Sequence, residues 1–120
     1  MHRLPARRKF NPMVERGAPL DRIYRALAHP TRRRMMELLR LDSMRVTELA
    51  APFDVSLEAA SKHIRMLEAA GLVSRSIHGR DHVLTLDAEP LLPAAEWIER
   101  YRSFWEERLR ALESYLRERT

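Results

Sequence analysis

Cysteine is absent from the 120 residues. That removes disulfides, thiolate metal ligands and thiol redox sensing together. No apolar run approaches the roughly 20 residues that a membrane helix needs. The basic N-terminus lacks the apolar stretch of a secretory signal. Both absences point to the cytoplasm and away from a membrane. There is no Gly-rich phosphate loop, no metal-binding set and no Ser/His/acid arrangement. The chain therefore reads as a non-enzyme, with no metal and no cofactor expected. Lysine is scarce too, occurring only at Lys9 and Lys62, so arginine carries nearly all the positive charge. Internal repeats and low-complexity segments are also missing.

What is present suits one folded domain. The length of 120 residues allows a single real core. Hydrophobic residues make up 45% and charged residues 32%, a globular balance rather than a disordered one. The net charge of +5 is unevenly spread. Residues 1–40 hold 11 Lys/Arg and 3 Asp/Glu, residues 41–80 hold 5 of each, and residues 81–120 hold 6 and 9. A basic front suits an anionic partner such as a phosphate backbone. For Arg3, Arg7, Arg8 and Lys9 a solubilising tail is the alternative.

The chain then divides by pattern. Residues 1–17 read as a flexible basic arm, interrupted by Pro5 and Pro12 and closed by Gly17 and Pro19. From Leu20 a helix is predicted, with Ile23, Tyr24 and Leu27 on its apolar face. Pro30 opens a second helix that runs to about Arg40. After a loop at 41–45, Val46 to Ala51 forms a short helix that Pro52 stops. Ser56 is placed to cap a longer helix, and Gly71 to end it. Val73 to Ile77 and His82 to Leu86 read as strands around a loop at 78–81. A long amphipathic helix closes the chain from about Pro90 to Arg117.

On the helix after Ser56, Ala60, Ile64 and Leu67 share one stripe, the core face. The opposite stripe carries Glu58, Lys62, Arg65 and Ala69, with Ser61 at its margin. Lys and Arg there can reach guanine acceptors in a major groove, and Ser can bond bases or phosphates. An ordinary amphipathic surface helix would look the same. The short helix and turn before it and the hairpin after it favour the DNA reading. Glu58 either complements the helix N-terminus or accepts from cytosine N4. His63 lies beside the core stripe, as a half-buried residue with one hydrogen bond or as a phosphate contact. Arg75 and Arg80 place positive charge on the hairpin, with Arg80 at the tip beside Gly79. His78 and His82 with Asp81 make an incomplete zinc set. Arg32, Arg33 and Arg34 crowd a helix N-terminus, which opposes its dipole, so partners are expected for some of them, either acidic residues or DNA.

These pieces resemble the ArsR family of winged helix-turn-helix repressors. The matching stretches are ALAHPTRRRMMELL, VTELA, VSLEAASKHIRMLEAAGLV and GRDHVLTL, with a closing WIERYRSFWEERLRALESYL similar to one branch. The resemblance implies a mainly α fold with a small β-hairpin wing, and a homodimer formed through the first and last helices. It implies two recognition helices on a palindromic site, with repression relieved by a ligand or metal. Ser56, Ser61, Lys62, His63 and Arg65 would belong to the DNA-reading helix, and Arg80 to the wing tip. The Cys-containing motif of metal-sensing members is replaced here by VTELAAPF. The Asp/His pattern of other members is missing from the last helix. Neither metal site is supported, and a small-molecule effector stays open.

Residues 1–17 are therefore the arm, 18–89 the winged helix-turn-helix domain, and 90–120 a dimerisation helix of the same domain. Ile98, Trp105 and Leu112 recur every seven residues along that helix, with Leu109 in a second row and Tyr101 at the flank. With Ile23, Tyr24 and Leu27 they are the expected dimer seam; packing under the winged domain is the alternative. The predicted partner is double-stranded DNA, read by a regulator that represses. The alternatives are a winged-helix module for protein partners and a nonspecific architectural DNA binder.

Overall fold

The computed structural model describes residues 17–119. Residues 1–16 of the predicted arm lie outside the described residues. Gly17 and Pro19, expected to close that arm, fall instead in the first turn of α1 (Gly17–Leu27). Proline is tolerated there, because the first-turn N–H groups have no partner within the helix.

A short turn leads into α2 (Pro30–Leu41), with Pro30 in its first turn. His29 caps it, its Nδ1 accepting the Thr31 N–H at 3.1 Å. Next come β1 (Met44–Arg45) and α3 (Val46–Ala50). Glu48 reaches back from α3 to accept the Arg45 backbone N–H at 2.8 Å. After the turn comes α4 (Leu57–Ala69), capped by Ser56, whose hydroxyl accepts the Ala59 N–H at 3.0 Å.

The end of α4 sets the direction of the wing. Gly71 takes a φ of +78°, which an L side chain rarely adopts. Its N–H bonds the Glu68 carbonyl at 2.9 Å, and the Leu72 N–H bonds the Leu67 carbonyl at 3.0 Å. This double closure satisfies two orphan carbonyls and buries Leu72 completely. β2 (Val73–His78) and β3 (Asp81–Leu86) then form an antiparallel hairpin. The turn is only two residues, Gly79 and Arg80, because the strands extend to pair His78 with Asp81. Gly79 has a φ of +65°, as the first central residue of a tight hairpin requires.

The sheet has three strands in the order β1-β3-β2. The loop expected at residues 41–45 is narrower: Leu41 ends α2, and Met44 and Arg45 form a strand. Met44 pairs with Leu84 and Arg45 with Val83. A two-residue strand carries no readable period, and its pairing is decided by the neighbour it meets.

A 3-10 turn (Glu89–Leu91) precedes α5 (Leu92–Arg119). One core, built around Met35, Leu49, Ile64, Leu67, Leu72 and Leu84, joins α2, α3, α4 and the sheet. α1 adds Ile23 and Ala26, and the first turn of α5 adds Ala94. No helix among the described residues is long and apolar enough to cross a membrane.

One placement differs from the expected dimer seam. Ile23 is 3% exposed in the chain's own core, which leaves almost none of it for a subunit seam. Tyr24 is half-buried and its ring meets Trp97 of the same chain edge-on, 6.0 Å between centroids. That contact pins the first turns of α5 to α1. Beyond it, Ile98, Tyr101, Trp105, Leu109 and Leu112 are all exposed. Leu27 is half-buried against the core.

Candidate nucleic-acid interface

α4 stands on the core by Ala60, Ile64 and Leu67, each fully buried. The helical period then turns Glu58, Lys62 and Arg65 outward. Leu57, Glu58, Ser61, Lys62 and Arg65 line one open groove on the outer face. Ser56, Glu58, Lys62 and Arg65 are exposed, and Ser61 is half-buried at the margin. Ser56 spends its hydroxyl on the helix cap.

Some cations elsewhere among the described residues are paired. Arg34 meets Glu37, Arg102 meets Glu99 and Glu106, and Arg117 meets Glu113. By contrast, Lys62, Arg65 and Arg80 have no hydrogen-bond or ion-pair partner among the described residues. Three unpaired cations on a helix face and a hairpin tip form a surface that can neutralise phosphates or reach base edges.

Arg80 sits at the wing tip, where Gly79 leaves open space around it. Arg45, Val46, Thr47, Arg75, Asp81 and His82 share a second groove with it, between the start of α3 and the hairpin.

Two of the expected contact residues are engaged within the fold. Arg75 lies at the base of the wing. Its Nε and Nη2 both donate to the Glu68 carboxylate at 3.0 Å, and its Nη1 lies 2.9 Å from His82 Nδ1. The hydrogen-bonded carboxylate holds the Arg75 guanidinium above its ordinary value. Arg75 thus ties the wing to the last turn of α4 rather than standing free. The sequence carried no signal for this bridge, because Glu68 and Arg75 are brought together only by the Gly71 turn.

His63 turns inward. It is half-buried, and its Nδ1 lies 3.0 Å from Arg32 Nη1. Arg32 answers the question of the crowded arginines at the start of α2. It is partnered by the carbonyls of Ala26 and Arg25 and by His63, with neither an acid nor DNA needed. Arg33 donates to the Leu27 carbonyl.

No group of three or more His, Cys, Asp or Glu residues among the described residues could hold a metal ion.

Comparison with known proteins agrees with this geometry. A family model described as a helix-turn-helix domain matches residues 27–75. The chain is 37% identical over 95 residues to the HTH-type transcriptional regulator Rv2034 of Mycobacterium tuberculosis, covering 79% of this chain and 83% of that protein. It is 25% identical over 79 residues to the transcriptional repressor SdpR of Bacillus subtilis, covering 66% and 88%. Among solved structures, the ArsR family transcriptional regulator RHA00566 superposes with a TM-score of 0.68 at 35% identity, covering 73% of this chain and 97% of that one. A short helix, a turn, an outward-facing second helix and a basic hairpin in this order, shared with such relatives, place the chain in the ArsR family of winged helix-turn-helix transcriptional regulators.

Proposed function

We propose that the protein is a cytoplasmic repressor that binds a palindromic operator as a homodimer. The observation that carries this reading is the outer face of α4, where Ser61, Lys62 and Arg65 line an open groove and both cations are unpaired. Lys62 and Arg65 read base edges in the major groove, and Glu58 flanks them. Arg80 contacts the backbone beyond the helix. The name of the relative SdpR supports repression as the outcome.

The exposed face of α5 supports the dimer. The 28 residues of this helix span about 42 Å. Trp105, Leu109 and Leu112 are 59%, 61% and 53% exposed, along a helix with few contacts beyond its first turns. So large an apolar stripe on a small protein is the mark of an association surface. A second copy placed by a two-fold axis covers it with the same stripe and presents a second α4. The half-sites then lie about one DNA turn apart.

The test is fluorescence anisotropy on the duplex upstream of the protein's own gene, with scrambled duplex as competitor, at two salt concentrations. Selective, salt-sensitive binding is expected. Lys62→Ala and Arg65→Ala should each lower specific affinity by about 1–3 kcal/mol while the dimer persists. Equal affinity for every duplex would leave an architectural binder, and no binding at low salt would assign the winged domain to a protein partner.

A further inference from the structure

Arg32 is the buried charge among the described residues, at 9% exposure. Its guanidinium joins three elements. Nε and Nη2 donate to the carbonyls of Ala26 and Arg25, each at 2.9 Å, and so close the C-terminus of α1. Nη1 faces Nδ1 of His63 on α4 at 3.0 Å. A guanidinium has only donors, so His63 Nδ1 must carry the lone pair and Nε2 the proton of a neutral ring. His29 is held in the same way, because its Nδ1 accepts the Thr31 N–H at 3.1 Å. The two imidazoles lie 4.4 Å apart between centroids, at 50° to one another. Each contact needs an unprotonated Nδ1.

We infer that the Arg32–His63 contact is a proton-operated latch on the recognition helix: protonation of His63 breaks it, loosens α4 from the α1–α2 frame, and weakens DNA binding as pH falls. The second half of this statement rests on the reading of α4 as the DNA-reading helix.

The surroundings of His63 favour the latch. The α1–α2 turn brings His29, α2 brings Arg32, and α4 itself brings Lys62. α1 sets Arg22 and Arg25 beside Met66, Ala69 and Ala70, toward the other end of α4. From the other elements packed on α4, Glu48 of α3 is taken by the Arg45 N–H, and Arg75 of β2 by Glu68. No carboxylate is among the groups acting on His63. Burial first, then the cationic form of His29 and the charges of Arg32 and Lys62, hold its imidazole below the ordinary value. The fold therefore prefers the neutral ring. That preference contributes fully above the unfolded pKa of about 6.5 and is lost as pH falls through it toward the lower folded value. Plain charge counting predicts the reverse for DNA binding, since every histidine that gains a proton adds attraction for phosphate. The sign of the pH effect separates the two.

The experiment is an NMR titration of the free, full-length protein from pH 8 down to the pH at which His63 is protonated, beside His63→Asn. Asparagine offers an amide oxygen near the place of Nδ1 and does not titrate. At pH 7.5 His63 should be neutral with its proton on Nε2. As it protonates, the exchange protection of α4 amides should fall about tenfold in the wild type, the scale of one lost charge-assisted hydrogen bond, and stay level in the variant. A proton on Nδ1 at pH 7.5, or α4 protection indifferent to His63 protonation, would overturn the latch. The wild-type titration decides the matter even where His63→Asn does not fold. On operator duplex at constant salt, wild-type affinity should fall as His63 protonates, by up to about tenfold once protonation is complete, with the variant level or rising. Absence of sequence-selective binding at pH 7.5 would count against the DNA-reading assignment alone, because the latch is decided in the free protein.

Discussion

Arg80→Ala removes a charge from the wing tip without removing a contact within the fold. The side chain is exposed, and open space surrounds the neighbouring Gly79. Stability should therefore change by no more than about 0.5 kcal/mol, as for other exposed surface substitutions. Binding should respond strongly. Arg80 is the cation assigned to the phosphate backbone in each protomer, and a dimer carries two. Each phosphate neutralised contributes about −0.9 to the slope of log K against log salt, so losing Arg80 from both protomers should make the slope shallower by about 1.8. Between about 50 and 200 mM salt the wild type should then lose about 12-fold more affinity than the variant. Anisotropy titrations at four or five salt concentrations measure both slopes. The reduction should be the same on operator and scrambled duplex, since phosphates carry no sequence information. An unchanged slope, or a loss confined to one duplex sequence, would refute the assignment of Arg80 to the backbone.

Glu68→Gln should lower stability by about 1–2 kcal/mol in urea unfolding, because it breaks a bidentate charge-assisted pair whose two side chains are each only 26% exposed. Its larger effect should be on the wing, read as lost amide protection in β2 and β3. Gly71→Ala should cost about 1–2 kcal/mol through its left-handed backbone alone, since an added Cβ would meet only Pro90 Cγ at an ordinary 3.5 Å; thermal unfolding measures it. Trp105→Asp with Leu109→Asp should yield a monomer in sedimentation velocity that keeps its helical circular dichroism, and operator affinity should fall with the dimer.

The architecture was legible because its signals are local. Pro30, Ser56 and Gly71 mark helix ends by backbone chemistry that needs no tertiary partner. The stripe of Ala60, Ile64 and Leu67 fixes which face of α4 is buried, and so which face is free. The remainder depends on neighbours distant in sequence. β1 exists only because Met44 and Arg45 meet β3. Ile23 and Tyr24 occupy adjacent positions on α1, yet one is core and the other packs on Trp97, a division that only the docking of α4 and α5 can set. His63 lies one position from the core stripe. Whether such a residue reaches solvent or a partner depends on Arg32, 31 residues earlier. Arg75 reads from sequence like Arg80, and only the Gly71 turn brings Glu68 within reach of one and not the other.

The proposed function requires α4 to read base sequence in a two-fold arrangement. Selection of bound duplexes from a fully randomised pool, with the wild type and with Lys62→Ala/Arg65→Ala run in parallel, tests this most directly. The wild type should enrich an inverted repeat whose half-site centres lie about one helical turn apart, and the double variant should not. A pool that stays random under wild-type selection, or an enriched site without two-fold symmetry, would contradict it.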